Sequence, residues 1–151
     1  MVTRAALLCT LCALLASASA FAAELVVVIQ GVESPEGELQ IELYGVQQRA
    51  TFPYADRGVL AEVRVRAETL PPPGTQASVS FSELAPGSYA VSVIHDVNGN
   101  GDIDLNMFGV PTEGYGFSNG AHGTLGPPSF DAAAVRVGPG APTRIAITLN
   151  H

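Results

Sequence analysis

Nine consecutive residues, Asp96-Val97-Asn98-Gly99-Asn100-Gly101-Asp102-Ile103-Asp104, put oxygen side chains at relative positions one, three, five and nine, with glycine at six. This is the opening half of a D-x-[DN]-x-[DN]-G calcium loop. A hard cation takes about six to eight oxygens, and alternate residues of a tight loop can turn theirs inward. Gly101 permits the sharp bend, and the Asp102 carbonyl falls where such loops use a backbone ligand. The twelfth position is Met107 and the flanks are not helical, so the segment is no EF-hand. A closing carboxylate would come from Glu113 or Asp102. With so few acids the expected affinity is weak, about 10⁻⁴–10⁻³ M. The same Asn-Gly-Asn-Gly run also makes a strong ion-free turn, because Asn and Asp tolerate left-handed backbone.

Other residues offer less. Gly116-Phe117-Ser118-Asn119-Gly120 fits G-x-S-x-G. A nucleophile elbow needs a strand before it and a helix after it, and glycine-rich loop is read on both sides here. No catalytic residue is therefore assigned. His95, Asp96, Glu113 and His122 make an alternative, a metal-dependent hydrolase, provided all four converge on one cleft. Without that convergence His95 reads as a half-buried rim residue bonded to the loop. Tyr115 and Phe117, with His122, offer a surface for a small ligand, a glycan or an envelope protein. The two aromatics serve equally as a satellite core. Asn98 to Gly101 is no phosphate loop, since no lysine and no helix N-terminus follow.

The elements that must hold these residues are strands. Apolar and polar residues alternate with period two over 39–43, 61–66, 78–82, 89–94, 135–137 and 144–149. Glu24 to Gly31 is apolar on both faces and suits a central strand. Ser34-Pro35-Glu36-Gly37, Pro71-Pro72-Pro73-Gly74, Ala85-Pro86-Gly87 and Gly138-Pro139-Gly140 supply turns. The expected fold is all-β, a single Ig-like or transthyretin-like antiparallel sandwich of about seven strands, with a closed barrel as the other solution. The alternation stops between Asp96 and Asp131. That excursion is expected to be one long ordered loop, anchored by Phe108, Tyr115, Phe117, Leu125 and Phe130.

The N-terminus carries Arg4, an apolar run from Ala5 to Ala16, and two A-x-A sites that place cleavage before Phe21 or before Ala23. This is the layout of a Sec-type signal peptide over 1–22, so the domain spans 23–151 and the setting is periplasmic or secreted. Both cysteines, Cys9 and Cys12, lie inside the leader, so the domain holds no thiol and no disulfide. After the leader six arginines and no lysine face 14 acids. An acidic chain without a basic patch excludes nucleic acid as a partner, and no later stretch is long and apolar enough to span a membrane.

The run His95-Asp96-x-Asn98-Gly99-Asn100-Gly101-x-x-Asp104, followed by Asn106-x-Phe108-Gly109-x-Pro111-x-Glu113-Gly114-Tyr115-Gly116-Phe117-Ser118-Asn119 and Gly126-Pro127-Pro128-Ser129-Phe130, resembles a bacterial family of exported proteins, domain of unknown function 2141. The resemblance covers the whole expected domain and implies an extracytoplasmic setting without implying an activity. Leu84-x-Pro86-Gly87-x-Tyr89 is similar to an element of transthyretin-like and carboxypeptidase-regulatory sandwiches, where a Pro-Gly turn feeds a strand opening on a core tyrosine. The functional expectation is a non-enzymatic exported module with a calcium-stabilised loop as its binding surface. A purely structural envelope protein is the remaining alternative.

Overall fold

A computed structural model describes residues 22–70 and 76–151. The expected leader, apart from Ala22, and the Pro71-Pro72-Pro73-Gly74 turn lie outside the described residues. Eight strands run in chain order: β1 Ala23–Gln30, β2 Glu38–Gly45, β3 Ala61–Arg66, β4 Ala77–Leu84, β5 Gly87–Asp96, β6 Gly114–Phe117, β7 Val135–Val137 and β8 Thr143–Thr148. Seven match the expected strands, six of them alternating segments and one, β1, the stretch apolar on both faces. The eighth, β6, lies inside the expected excursion, where Gly114-Tyr115-Gly116-Phe117 gives no apolar alternation to read.

The strands form two sheets, one ordered β4-β1-β8 and the other β3-β2-β5-β6, with β7 also on β5. β6 and β7 pair with different ends of β5, β6 at Ser92–His95 and β7 at Gly87–Tyr89. All pairings are antiparallel except β1 with β8, which is parallel. This departs from the purely antiparallel expectation. Parallel neighbours need a long crossover, and here everything between the first and last strands supplies it. β1 is central in its sheet, as its two apolar faces imply.

Period two decides which side chains meet between the sheets. Leu25, Val27 and Ile29 of β1, Leu39, Ile41 and Leu43 of β2, Val91 and Val93 of β5, and Ile147 of β8 are all essentially inaccessible and form one core. Tyr89 joins them, and its hydroxyl donates to the Ala85 carbonyl at 2.6 Å, so the tyrosine after the Pro-Gly turn is a core residue with its polar end satisfied.

The outward face of the larger sheet is covered as well. Tyr44, Phe52, Ala90, Ala121, Phe130 and Ala133 make a second buried cluster there. Phe52 sits at its centre, edge-on to Tyr44 at 5.0 Å, Phe117 at 5.9 Å and Phe130 at 6.1 Å. Two segments supply this cover, the irregular stretch after β2 and the short helix α1, Phe130–Ala133, capped by Ser129. Arg49 joins them, pairing with Asp131 at 2.7 Å and lying over the Phe130 ring at 5.3 Å.

The excursion is therefore not one continuous cap. Residues 97–113 project from the end of the sandwich, β6 returns to the sheet, and 118–134 lie across its outer face. Phe130 anchors the segment at 2% exposure, but Phe108 and Leu125 do not, at 82% and 101%. An aromatic or leucine in a glycine-rich stretch needs a surface to pack on, and these two sit where the chain turns away from both sheets.

Candidate functional site

The projecting loop starts from a buried carboxylate. Asp96 ends β5 on the outward face, fully inaccessible, and β2 lies alongside it. Its Oδ2 accepts the Gln40 amide at 3.0 Å and the Gly101 N–H at 2.8 Å. Its Oδ1 accepts the N–H groups of Gly99 at 2.8 Å and Asn100 at 3.2 Å. Three of these four donors belong to the loop and fold 97–101 around one side chain. Gly101 makes that fold possible, with φ of +88°. Gly37, in the β1–β2 turn, supports it from behind, because a Cβ there would run into the Asp96 carbonyl.

The rest of the loop is organised by side-chain oxygens. Asn98 Oδ1 accepts the Asn100 N–H at 3.0 Å, and Asn100 Oδ1 accepts the Asp102 N–H at 2.9 Å. Both amide groups donate to Asp104, Asn98 to Oδ2 at 2.5 Å and Asn100 to Oδ1 at 2.9 Å. Glu113 is buried just before β6 and closes the loop, Oε1 accepting the Val97 N–H at 2.8 Å and Oε2 the Asp104 N–H at 3.0 Å. Asp96, Asn98, Asn100, Asp104 and Glu113 are therefore brought into one connected network, and Asp102 stays exposed beside it. None of the ion pairs among the described residues involves its three acids or Asp102.

The hydrolase constellation does not assemble. His95 and Asp96 are consecutive strand residues and face opposite sides of the sheet. His95 is buried at the rim of the core, its Nε2 2.9 Å from the Glu36 carbonyl in the β1–β2 turn, not bonded to the excursion as expected. His122 is exposed. Among the described residues no three His, Cys, Asp or Glu side chains group closely enough to hold a metal by themselves. A cation in the loop must therefore draw on asparagine and carbonyl oxygens.

Ser118 is no nucleophile. It is wholly buried, donating to the Ala133 carbonyl at 2.6 Å and accepting the Val91 N–H at 2.9 Å, which staples the covering segment to β5. Phe117 packs against the second cluster, and Tyr115 stands 6.0 Å from it, edge-on. The satellite-core reading holds for Phe117. Tyr115 remains half-buried, its backbone paired to Asn150 at the end of β8.

A polar cluster that sequence reasoning missed lies on the same outward face. Glu42 is 2% exposed, and its Oε2 accepts two hydroxyls, Tyr44 Oη and Ser92 Oγ, each at 2.6 Å. Burial pushes its carboxyl above the ordinary glutamate value, and the two hydroxyl donors only partly offset this. Burial and the adjacent Glu42 raise the Tyr44 phenol as well. The alternation of Glu38, Gln40 and Glu42 reads as a solvent-facing row. The signal against that reading is Tyr44, the next residue on the face, whose ring needs cover.

The exposed residues complete the picture. Beyond Asp104 the chain forms a narrow turn, with Leu105 bridged to Pro111 and the Asn106 N–H donating to the Val110 carbonyl at 2.8 Å. No helix among the described residues is long and apolar enough to cross a membrane. No curated protein and no solved structure matches the chain. A family model described as an uncharacterized protein conserved in bacteria (DUF2141) matches residues 27–145, from β1 through the projecting loop to β8, and the chain belongs to that family.

Proposed function

We propose that this protein is an exported, non-enzymatic binding module in which the loop from Asp96 to Asp104 takes up a calcium ion and becomes the working end of the domain. One observation carries this reading: a fully buried Asp96, a half-buried Asp104 and a buried Glu113 share one loop network without a basic partner among the described residues. Carboxylates held in one loop without a basic partner attract a cation. The candidate ligands are the side-chain oxygens of Asp96, Asn98, Asn100 and Asp104 and the Asp102 carbonyl, an oxygen set that suits calcium. The cation would replace the amide N–H groups that now contact Asp104. Glu113 holds the loop ends through backbone N–H groups and stays available at the edge.

The test is a thermal melt of the purified protein in calcium against EGTA, with magnesium as the control. For a site near 10⁻³ M, about 10 mM calcium adds about 1.4 kcal/mol of stability, a shift of several degrees. The Asp104→Asn variant should lose that response. An unchanged melting temperature in calcium overturns the reading. Sequencing the N-terminus of protein recovered from the cell envelope tests the export part, with a start at Phe21 or Ala23 expected.

A further inference from the structure

The turn beyond the acidic loop is apolar in a place where nothing among the described residues covers it. Leu105, Met107, Phe108 and Val110 are 55%, 89%, 82% and 53% exposed, four of six consecutive residues. Single exposed hydrophobes are ordinary on protein surfaces, but a cluster at one projecting point marks an interaction site. We propose that this turn is a membrane-insertion tip that enters the interface of a zwitterionic phospholipid bilayer.

Two features select lipid over a protein groove or a second copy. The first is the backbone. Asn106 Oδ1 accepts the N–H groups of Phe108 at 2.9 Å and Val110 at 3.1 Å. The Gly109 N–H donates to the Asn106 carbonyl at 2.9 Å, the Asn106 N–H to Val110, and the Thr112 N–H to the Asp104 carbonyl at 2.9 Å. Pro111 has no donor. Five of the seven backbone N–H groups from Leu105 to Thr112 are thus satisfied within the turn and its base, which lowers the cost of leaving water, because lipid tails offer no partners. A partner that docks by strand pairing requires the opposite, free donors along the edge.

The second feature is charge. From Leu105 to Thr112 there is no formal charge, and no Lys or Arg occurs anywhere between 67 and 135. Asp102 and Asp104 form an acidic collar at the base of the turn. That collar repels anionic headgroups and complements the ammonium of choline or ethanolamine, while the uncharged tip meets the acyl region. This inference goes beyond the calcium reading and does not require it.

The chain contains no tryptophan, so Phe108→Trp places a single indole reporter at the tip. The experiment uses vesicles of phosphatidylcholine and phosphatidylethanolamine, in EGTA throughout, so that failure of the calcium site leaves the result intact. Indole emission should move to the blue on adding vesicles and be quenched by acyl-chain bromine. The double variant Met107→Ser/Phe108→Ser should lose vesicle co-sedimentation by about tenfold or more at an unchanged melting temperature. Water-like emission in the presence of vesicles overturns the proposal, including where the protein sediments with them through residues 1–22. Blue emission without lipid that depends on protein concentration also overturns it, since a second copy then covers the tip.

Discussion

Glu42 and Asp96 sit on the same outward face of one sheet, on the neighbouring strands β2 and β5, and both are buried carboxylates. Their surroundings differ. Glu42 takes its donors from two side chains, Tyr44 and Ser92, under the aromatic cover built around Phe52. Asp96 takes three of its four donors from the backbone of the loop that follows it. Burial holds the Glu42 carboxyl toward its neutral form, and its two hydroxyl donors only partly offset this. The backbone N–H groups at Asp96 bend the chain around its carboxylate. One carboxylate therefore completes a sealed structural cluster, while the other organises an exposed loop whose further side-chain oxygens accept N–H groups of the loop itself.

The largest disturbance of this contrast is to remove the cover. Phe130→Ala should cost about 3–5 kcal/mol in urea unfolding, the range for truncating a buried phenylalanine. It should also move the Glu42 carboxyl, followed by NMR, back toward the ordinary value. If Glu42 does not respond, its shift has another origin than the cover. Asp96→Ala attacks the other side. It strands the Gln40 amide and the Gly101 N–H, and a cost of about 2–4 kcal/mol is expected, with loss of hydrogen-exchange protection confined to 97–104. Uniform loss of protection would mean that Asp96 supports the whole domain.

Ser118→Ala leaves the buried Val91 N–H without its acceptor. A cost of about 1–3 kcal/mol is expected by denaturant unfolding, with calcium and vesicle responses retained because the residue lies outside the loop. The smallest effect is a change of slope. Because the folded Glu42 carboxyl is raised above 4.5, the folded state holds a proton that the unfolded chain releases. Its contribution is therefore full below pH 4.5 and falls as pH rises through the folded value. Glu42→Gln should flatten that part of the stability profile. An identical pH profile in the variant would show that Glu42 ionises freely in place.

Local signals carried the sequence reading and non-local ones escaped it. Six strands were legible because an alternating segment declares its own buried face, and β1 because it is apolar on both faces. The loop was legible because its oxygens and Gly101 fall within nine residues. β6 was not, because glycines at two of its four positions remove the alternation. Gly116 is needed where β6 passes β8: a Cβ there would press on Ile147 and the Thr148 carbonyl. The Glu42 cluster and the Ser118 staple join residues 50 and 27 positions apart, and no spacing rule reaches that far. Phe108 misled for a physical reason too. An aromatic in an ordered loop is ordinarily an anchor, and only the path of the chain decides whether a surface lies beneath it.

The parallel contact between β1 and β8 sets the order in which the domain can be completed. The three-stranded sheet keeps one side of its middle strand open until the final strand has been synthesised. A nascent chain released without residues 143–148 would present the apolar run Leu25 to Ile29 as an unpaired edge, the kind of segment that chaperones hold and that aggregates recruit. Maturation of this molecule is thus gated by its last strand, and a C-terminal truncation should act on yield before it acts on any site.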